Sequence, residues 1–291
     1  MNNFTQSKVL VTGATNQIGR FLLPRLQAHG FTITAISRQS LSNTTPNLLW
    51  QQADLLNTSL SLNSFHLLFH IAPLPLLPPL LACLPNDSVL KRVIAFSSTS
   101  CFTKAQSPDP KERAIATQLT EAETALITVC QARNIGWTLF RPTLIYGCGM
   151  DKNITTIAQF IRRYRFFPLL GQGTGLRQPV HADDLAAACI QASLSPVTLN
   201  KAYNLSGGQT LSYRDMVKSI FCHLGKKPRI ISIPLPILKL IVLMFQRLPQ
   251  YAHLSTAMIT RMNQDLCFDH NEAYQDFGYI PRTFSDNDMG F

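Results

Sequence analysis

Val9-Leu10-Val11-Thr12-Gly13-Ala14-Thr15-Asn16-Gln17-Ile18-Gly19 is the stretch on which the architecture turns. An apolar run stops at a glycine, and a second glycine follows six residues later, where a helix opens. The pattern predicts a strand over 8–12, a tight turn at Gly13, where a left-handed backbone carries no steric cost, and a helix over 17–28. Gly19 is expected to let that helix press close to the sheet. A helix N-terminus offers unpaired N–H groups and a partial positive charge, so the crossover is a place to lay a phosphate. The spacing of dinucleotide-binding turns asks for a glycine between these two, and Asn16 stands there. Asparagine tolerates left-handed angles better than other non-glycine residues, so the turn can still form, with the Asn16 side chain crowding or contacting the ligand. A strand–helix turn with no ligand is the alternative. The strand before it and the helix after it favour binding.

The 291 residues suffice for one large domain or a domain with a smaller appendage, and 46% apolar residues allow a full core. The seven cysteines are scattered with no CxxC pair, which reads as thiols in a reducing compartment and not as disulfides or metal ligands. The first strand starts close to Met1, leaving no room for a secretory signal, so a cytoplasmic location is expected. A net charge of +10 favours anionic partners such as nucleotides, phosphorylated sugars or an acidic membrane face. Nucleic acid is disfavoured: the basic clusters Arg162-Arg163-Arg165 and Lys226-Lys227-Arg229 are short and carry no stacking motif.

Strand-like runs at 31–36, 65–71, 92–96 and 137–140 alternate with helical stretches, most clearly 111–133. That alternation predicts βαβ units and a doubly wound parallel sheet of the Rossmann type. The proline-rich residues 72–85 have room only for a compressed helix. Further helices are expected over 151–164, 183–192 and 212–224, the last capped by Ser212 with Asp215 three residues on. The expected organisation is a dinucleotide-binding domain over 1–150, to which 176–200 returns, and a smaller C-terminal lobe over most of 151–291. Residues 230–248 are the most hydrophobic stretch, interrupted by Pro234, Pro236 and Lys239, and their longest uninterrupted apolar run falls far short of a bilayer span. A packed core helix is the simplest reading. A helix lying on a membrane surface, with the protein peripheral to the inner membrane, is the alternative.

Several segments together resemble the extended short-chain dehydrogenase/reductase superfamily, of the nucleotide-sugar epimerase/dehydratase type: VTGATNQIG at 11–19, Ala53-Asp54-Leu55, His70-Ile71-Ala72, SSTSCF at 97–102, RPTLIYG at 141–147 and LRQPVHADDLA at 176–186. The resemblance runs from the N-terminus to about residue 225. It implies that Gly13, Thr15, Gln17, Ile18 and Gly19 line a pyrophosphate, that Asp54 and Leu55 meet the adenine, and that Ala72 faces the nicotinamide-side phosphate or ribose. A surface turn for Asp54 and a packing role for Ala72 stay open. The second strand ends in Ser37-Arg38-Gln39 without the acidic residue that holds a ribose 2′-hydroxyl in NAD sites. Ser37 and Arg38 suit a 2′-phosphate, so NADP(H) is favoured, with NAD(H) left open.

The resemblance breaks at the chemistry. Such enzymes carry a Tyr-x-x-x-Lys acid/base pair on the long helix after the SSTS segment, but no tyrosine occurs between Cys101 and Ile145, and residues 112–118 hold that place. Thr99 matches the hydroxyl that orients the substrate oxygen, and Tyr146 is a second candidate from the RPTLIYG segment. Arg177 and His181 match residues near the diphosphate of a nucleotide-linked substrate, with an ion-pair role for Arg177 and a structural role for His181 as alternatives. A looser resemblance, on the segment from Phe160 through Gln178-Pro179-Val180 and on Ile233-Pro234-Leu235-Pro236, is to the nucleotide-binding accessory subunit of respiratory complex I. It implies tight NADPH binding without turnover beside a membrane enzyme. Two functions follow: an oxidoreductase of the epimerase/dehydratase type on a nucleotide-linked sugar, or a non-catalytic NADP(H)-binding assembly, sensor or scaffold protein. A homodimer is compatible with either.

Overall fold

The computed structural model describes residues 8–42, 45–56, 64–85, 87–234, 262–284 and 290. Seven parallel strands form one sheet: β1 (Lys8–Thr12), β2 (Thr32–Ser37), β3 (Leu48–Gln52), β4 (Leu67–His70), β5 (Arg92–Phe96), β6 (Gly136–Pro142) and β11 (Lys201–Leu205). Their order, β11-β6-β5-β4-β1-β2-β3, reverses direction at β1 and β4. This is the Rossmann-type doubly wound sheet, whose ligand crevice opens beyond the carboxyl ends of the strands at the reversal. β1, β4 and β5 are apolar almost throughout because both faces of the sheet are covered.

On one face α1 (Gln17–Ala28) packs against α6 (Ala182–Leu194), closing a core that runs from Val9 and Phe69 to Leu185 and Tyr203. On the other, α2 (Leu77–Ala82) packs against α4 (Pro110–Ala132), and Leu126 and Cys130 of α4 join Leu68 and Val93 of the sheet. The four-residue α3 (Ser100–Thr103) leads into α4. A third cluster joins α5 (Ile154–Tyr164) and α7 (Tyr213–His223) around Ile161, Phe167 and Ile220. Short pairs surround it: β7 (Ile145–Tyr146) with β10 (Val180–His181), β9 (Leu176–Arg177) with β12 (Leu211–Ser212), and β8 (Phe167–Leu170) with β13 (Ile230–Ile233). A final helix, α8 (Asn271–Phe277), packs against β11 and α6.

Two elements escape the hydrophobic pattern. β3 is half exposed and polar at its end, and β11 pairs only on its β6 side, so neither shows the continuous apolar run of a central strand. The stretch read as one helix over 230–248 begins differently: residues 230–233 are β13, paired in parallel with β8, and 235–248 lie outside the described residues. Among the described residues no helix is long and apolar enough to cross a membrane.

Arg92 holds the bottom of the sheet without a carboxylate. Its guanidinium donates to the carbonyls of Ala192 (2.7 Å) and Ser193 (3.2 Å) at the end of α6 and to the Thr198 hydroxyl. A cation there meets the negative end of the helix dipole. Burial lowers its pKa to about 10, which still leaves it charged at neutral pH.

Candidate active site and dinucleotide crevice

The turn after β1 is built on glycine for two reasons. Gly13 has φ +75°, and a Cβ on it would lie 2.5 Å from the Ala72 nitrogen and 2.7 Å from the Ile71 carbonyl carbon. A Cβ on Gly19 would lie 2.1 Å from the Ala14 carbonyl oxygen, so the close approach at Gly19 is to the turn itself, not to the sheet. Asn16 corrects the sequence reading. Its backbone is extended (φ −77°, ψ 176°), so tolerance of left-handed angles plays no part. It caps α1 instead: Oδ1 accepts the Gly19 N–H at 2.9 Å, while Nδ2 donates to the Ile71 carbonyl just past β4. The residue in the middle-glycine position thus ties the turn to the neighbouring crossover. Thr15 is exposed at the turn and Ile18 is buried beneath it. Gln17 Oε1 is buried and makes no hydrogen bond among the described residues.

Beside the turn a cleft of about 720 Å³ is lined by Ala14, Thr15, Arg20, Ser37, Arg38 and Trp50, among others. Ser37 is buried, and its hydroxyl accepts the Gln39 N–H at 3.0 Å. Neither Arg20 nor Arg38 forms an ion pair among the described residues. Arg20 is absent from the sequence reading, yet it was findable: it follows Asn16 by four residues on a helix, so it rises from the same face as the turn. Trp50 was not, because β3 itself was not recognised. Asp54 accepts the Leu56 N–H at 3.1 Å in a side-chain turn, and Leu55 packs against the core cluster to which Leu68 belongs. Ala72 is buried against Gly13.

His70 lies under this crevice. Its Nε2 faces the Pro73 carbonyl (3.2 Å), which can only accept, so Nδ1 accepts from the Thr12 hydroxyl (2.8 Å). Burial drives its pKa from 6.5 down to about 4, against the smaller upward pull of the Pro73 carbonyl. The unfolded chain therefore takes up a proton that the folded chain refuses. This contribution to stability is complete above about pH 6.5 and is lost as pH falls toward about 4, a change of about 3 kcal/mol. Urea unfolding across that window is expected to show the loss in the parent protein and a shallower slope in His70→Gln.

On the substrate side, Thr99 is buried, and its hydroxyl donates to the Pro142 carbonyl at 3.1 Å. Nearby in sequence, Ser97 Oγ is buried without a hydrogen bond among the described residues. The long helix α4 carries no tyrosine. Where the acid/base pair was sought, Glu112 is buried and accepts from the Ser107 hydroxyl (2.7 Å), Ala116 is buried, and Ile115 is exposed. Two turns beyond Ala116, Glu123 takes Arg141 in a two-pronged pair (Nε to Oε1, 3.0 Å), and that guanidinium lies 5.2 Å from the Phe102 ring centre. Phe268 stands 5.9 Å from Phe102.

Tyr146 is fully buried, its ring edge-on to both His181 and Phe284 at 5.0 Å, and its hydroxyl has no partner among the described residues. Burial pushes the phenol well above its ordinary range, which keeps it protonated. His181 is buried too, and its Nδ1 accepts the Asp183 N–H at 3.1 Å, capping α6. Arg177 is buried over the Tyr213 ring and donates to the carbonyls of Leu176 and Gln264, each at 2.7 Å. Asp183 and Asp184 hold Arg282, and Asp183 also holds Arg25, so α1, α6 and the C-terminal segment are locked together.

The sequence profile of the NAD dependent epimerase/dehydratase family matches residues 9–72 and 80–206, and the chain belongs to that family. UDP-glucose 4-epimerase of Vibrio cholerae is 21% identical over 204 residues, 67% of this chain and 60% of that protein. The mitochondrial NADH dehydrogenase [ubiquinone] 1 alpha subcomplex subunit 9 of Arabidopsis thaliana is 30% identical over 103 residues, 35% of this chain and only 25% of that protein. Among solved structures, UDP-glucuronic acid 4-epimerase of Bacillus cereus in complex with UDP-glucuronic acid and NAD superposes with a TM-score of 0.73 at 15% identity, over 95% of this chain and 94% of that one.

Proposed function

We propose that this chain binds a nicotinamide dinucleotide, NADP(H) ahead of NAD(H), together with a nucleotide-linked sugar or related small molecule, as an epimerase/dehydratase-like oxidoreductase without the usual Tyr-x-x-x-Lys pair. The observation that carries the reading is a single cleft lined by Ala14 and Thr15 of the turn, by Ser37 and by Arg20 and Arg38, which form no ion pair among the described residues. The residues present fit the group: the turn leaves no space for a side chain at Gly13, and Gln17 Oε1 and Ser97 Oγ are buried polar atoms without a hydrogen bond among the described residues. In this reading Gly13, Thr15, Gln17, Ile18 and Gly19 flank the pyrophosphate and Asn16 holds the turn in shape. Asp54 and Leu55 border the adenine, and Ala72 borders the nicotinamide-side phosphate or ribose. Ser37 and Arg38 take the 2′-phosphate. Residues 1–150 with 176–200 form the dinucleotide lobe, and the remainder builds the substrate side with Arg177 and His181. When bound, the nicotinamide supplies hydride exchange. Thr99 orients the substrate oxygen by exchanging its bond to Pro142 for one to the ligand.

A second reading, binding without turnover, is favoured by one observation: Tyr146, the remaining phenol of the RPTLIYG segment, is sealed between His181 and Phe284. It matches the partial likeness to the complex I subunit and would make the chain an assembly, sensor or scaffold protein. Release and identification of bound nucleotide, followed by turnover assays with UDP- and dTDP-sugars, separates the two. Sugar-dependent oxidation or reduction of bound cofactor supports the first, and tightly held NADPH that no sugar nucleotide consumes supports the second. In either case Arg38→Asp is expected to weaken NADPH relative to NADH by tenfold or more, as a lost charge-assisted pair should. Competitive fluorescence titration reads this directly, and an unchanged preference removes Arg38 from the cofactor site.

A further inference from the structure

The positive charge of this chain is not spread evenly. Residues 152–182 and 216–264 contain 12 Lys and Arg and no Asp or Glu. The other 14 Lys and Arg are outnumbered by all 16 acidic residues, so the remainder of the chain is slightly acidic. Sixty residues separate the two basic clusters in sequence, but the fold brings them together. Arg162, Arg163 and Arg165 are exposed at the C-terminal end of α5. Lys226 reaches across from the loop after α7 and donates to the carbonyls of Ile161 (3.4 Å) and Arg162 (3.2 Å). The Phe167 N–H donates to the Arg229 carbonyl at 2.9 Å, and β13 then continues beside β8. Lys227 and Arg229 are exposed on this same seam, and Arg163, Arg165, Lys227 and Arg229 form no ion pair among the described residues. Two large apolar side chains stand out among the bases, Tyr164 at 56% exposure and Ile231 at 53%.

We infer that this face, formed by the end of α5, the loop before β13 and β13 itself, docks on an anionic lipid surface. The charge supplies attraction to acidic headgroups, each base near the surface strengthening adsorption about fivefold. Tyr164 and Ile231 supply what a purely electrostatic patch lacks, an aromatic ring and an aliphatic side chain suited to the headgroup boundary. The chain also runs on from β13 into the most apolar stretch of its sequence, residues 235–248. That combination favours lipid over nucleic acid, whose recognition would ask for bases without neighbouring aliphatic surface. The inference is independent of whether the dinucleotide cleft turns over a substrate.

Flotation of the full chain with vesicles tests it. The protein is expected to float with phosphatidylcholine vesicles containing phosphatidylglycerol, to stay behind with phosphatidylcholine alone, and to be released by added salt. Arg163→Gln with Arg165→Gln, and separately Lys227→Gln with Arg229→Gln, are each expected to lower partitioning at least tenfold. Lys8→Gln with Lys91→Gln, two exposed lysines at the amino ends of the inner strands β1 and β5, is expected to leave it unchanged. Thermal unfolding of each variant confirms that it is folded, and the two cluster pairs are independent should one fail. Equal flotation with neutral vesicles, or undiminished flotation of both cluster variants, overturns the inference. So does a single-stranded RNA that binds this face while anionic vesicles fail to displace it.

Discussion

Gly13→Ala is expected to abolish dinucleotide binding and to destabilise the fold by about 3 kcal/mol. The left-handed backbone at φ +75° costs a non-glycine residue about 1–2 kcal/mol. The added methyl group also meets three backbone atoms, Ala72 N at 2.5 Å, Ile71 C at 2.7 Å and Ala72 Cα at 2.8 Å. Backbone cannot swing aside as a flexible side chain can, so the turn must move away from β4. That movement breaks the bond from Asn16 to Ile71 and re-aims the first N–H groups of α1. A loss of about 2.8 kcal/mol in affinity would be a hundredfold, and at least that is expected. Urea unfolding and calorimetric titration of the same preparation read the two effects separately. A variant that folds and binds like the parent would mean that the turn tolerates a side chain, and the pyrophosphate assignment would fail with it.

Arg92→Leu is the second large effect, and it is one of stability alone. Leucine approximates the buried stem but donates nothing, so the Ala192 and Ser193 carbonyls at the end of α6 and the Thr198 hydroxyl lose a charged donor in a site closed to water. An uncompensated loss of this kind costs about 3 kcal/mol or more. α6 lies against α1, so the loosened helix end also undermines the element whose N-terminus faces the crevice. Arg92→Lys should recover part of the loss, because one ammonium reaches fewer of these acceptors than the guanidinium fork. Chemical denaturation of the three proteins checks the order Arg92, Lys, Leu. Equal stability of all three would show that Arg92 is a bystander.

The central part of the fold was legible in sequence because its signals are local. The run from Val9 to Gly19 fixes strand, turn and helix through neighbours alone, and β5 is apolar from Val93 to Phe96. Ser212 and Asp215 cap α7 as their spacing requires. What escaped depends on partners far along the chain. The work of Asn16 is done with Ile71, 55 residues away. Tyr146 looks available until Phe284 closes over it. Arg162 and Lys226 are two ordinary clusters until α5 and the loop after α7 meet. β3 and β11 are edge strands whose half-exposed sequences resemble loops. Of the residues lining the cleft, Thr15, Ser37 and Arg38 were named from the sequence, while Trp50, which reaches it from an unrecognised strand, was not.

The family assignment accounts for the sheet and the turn, and the departures from the family account for the rest. The helix α4 holds Glu123 against Arg141 and carries no tyrosine. In the proposed reading Thr99 is left to orient the substrate oxygen.

Calorimetric titration of the full chain with NADPH and with NADH tests the central claim most directly. One saturable site for NADPH, with NADH bound more weakly, is the predicted result. A folded protein that gives no heat with either nucleotide would contradict it.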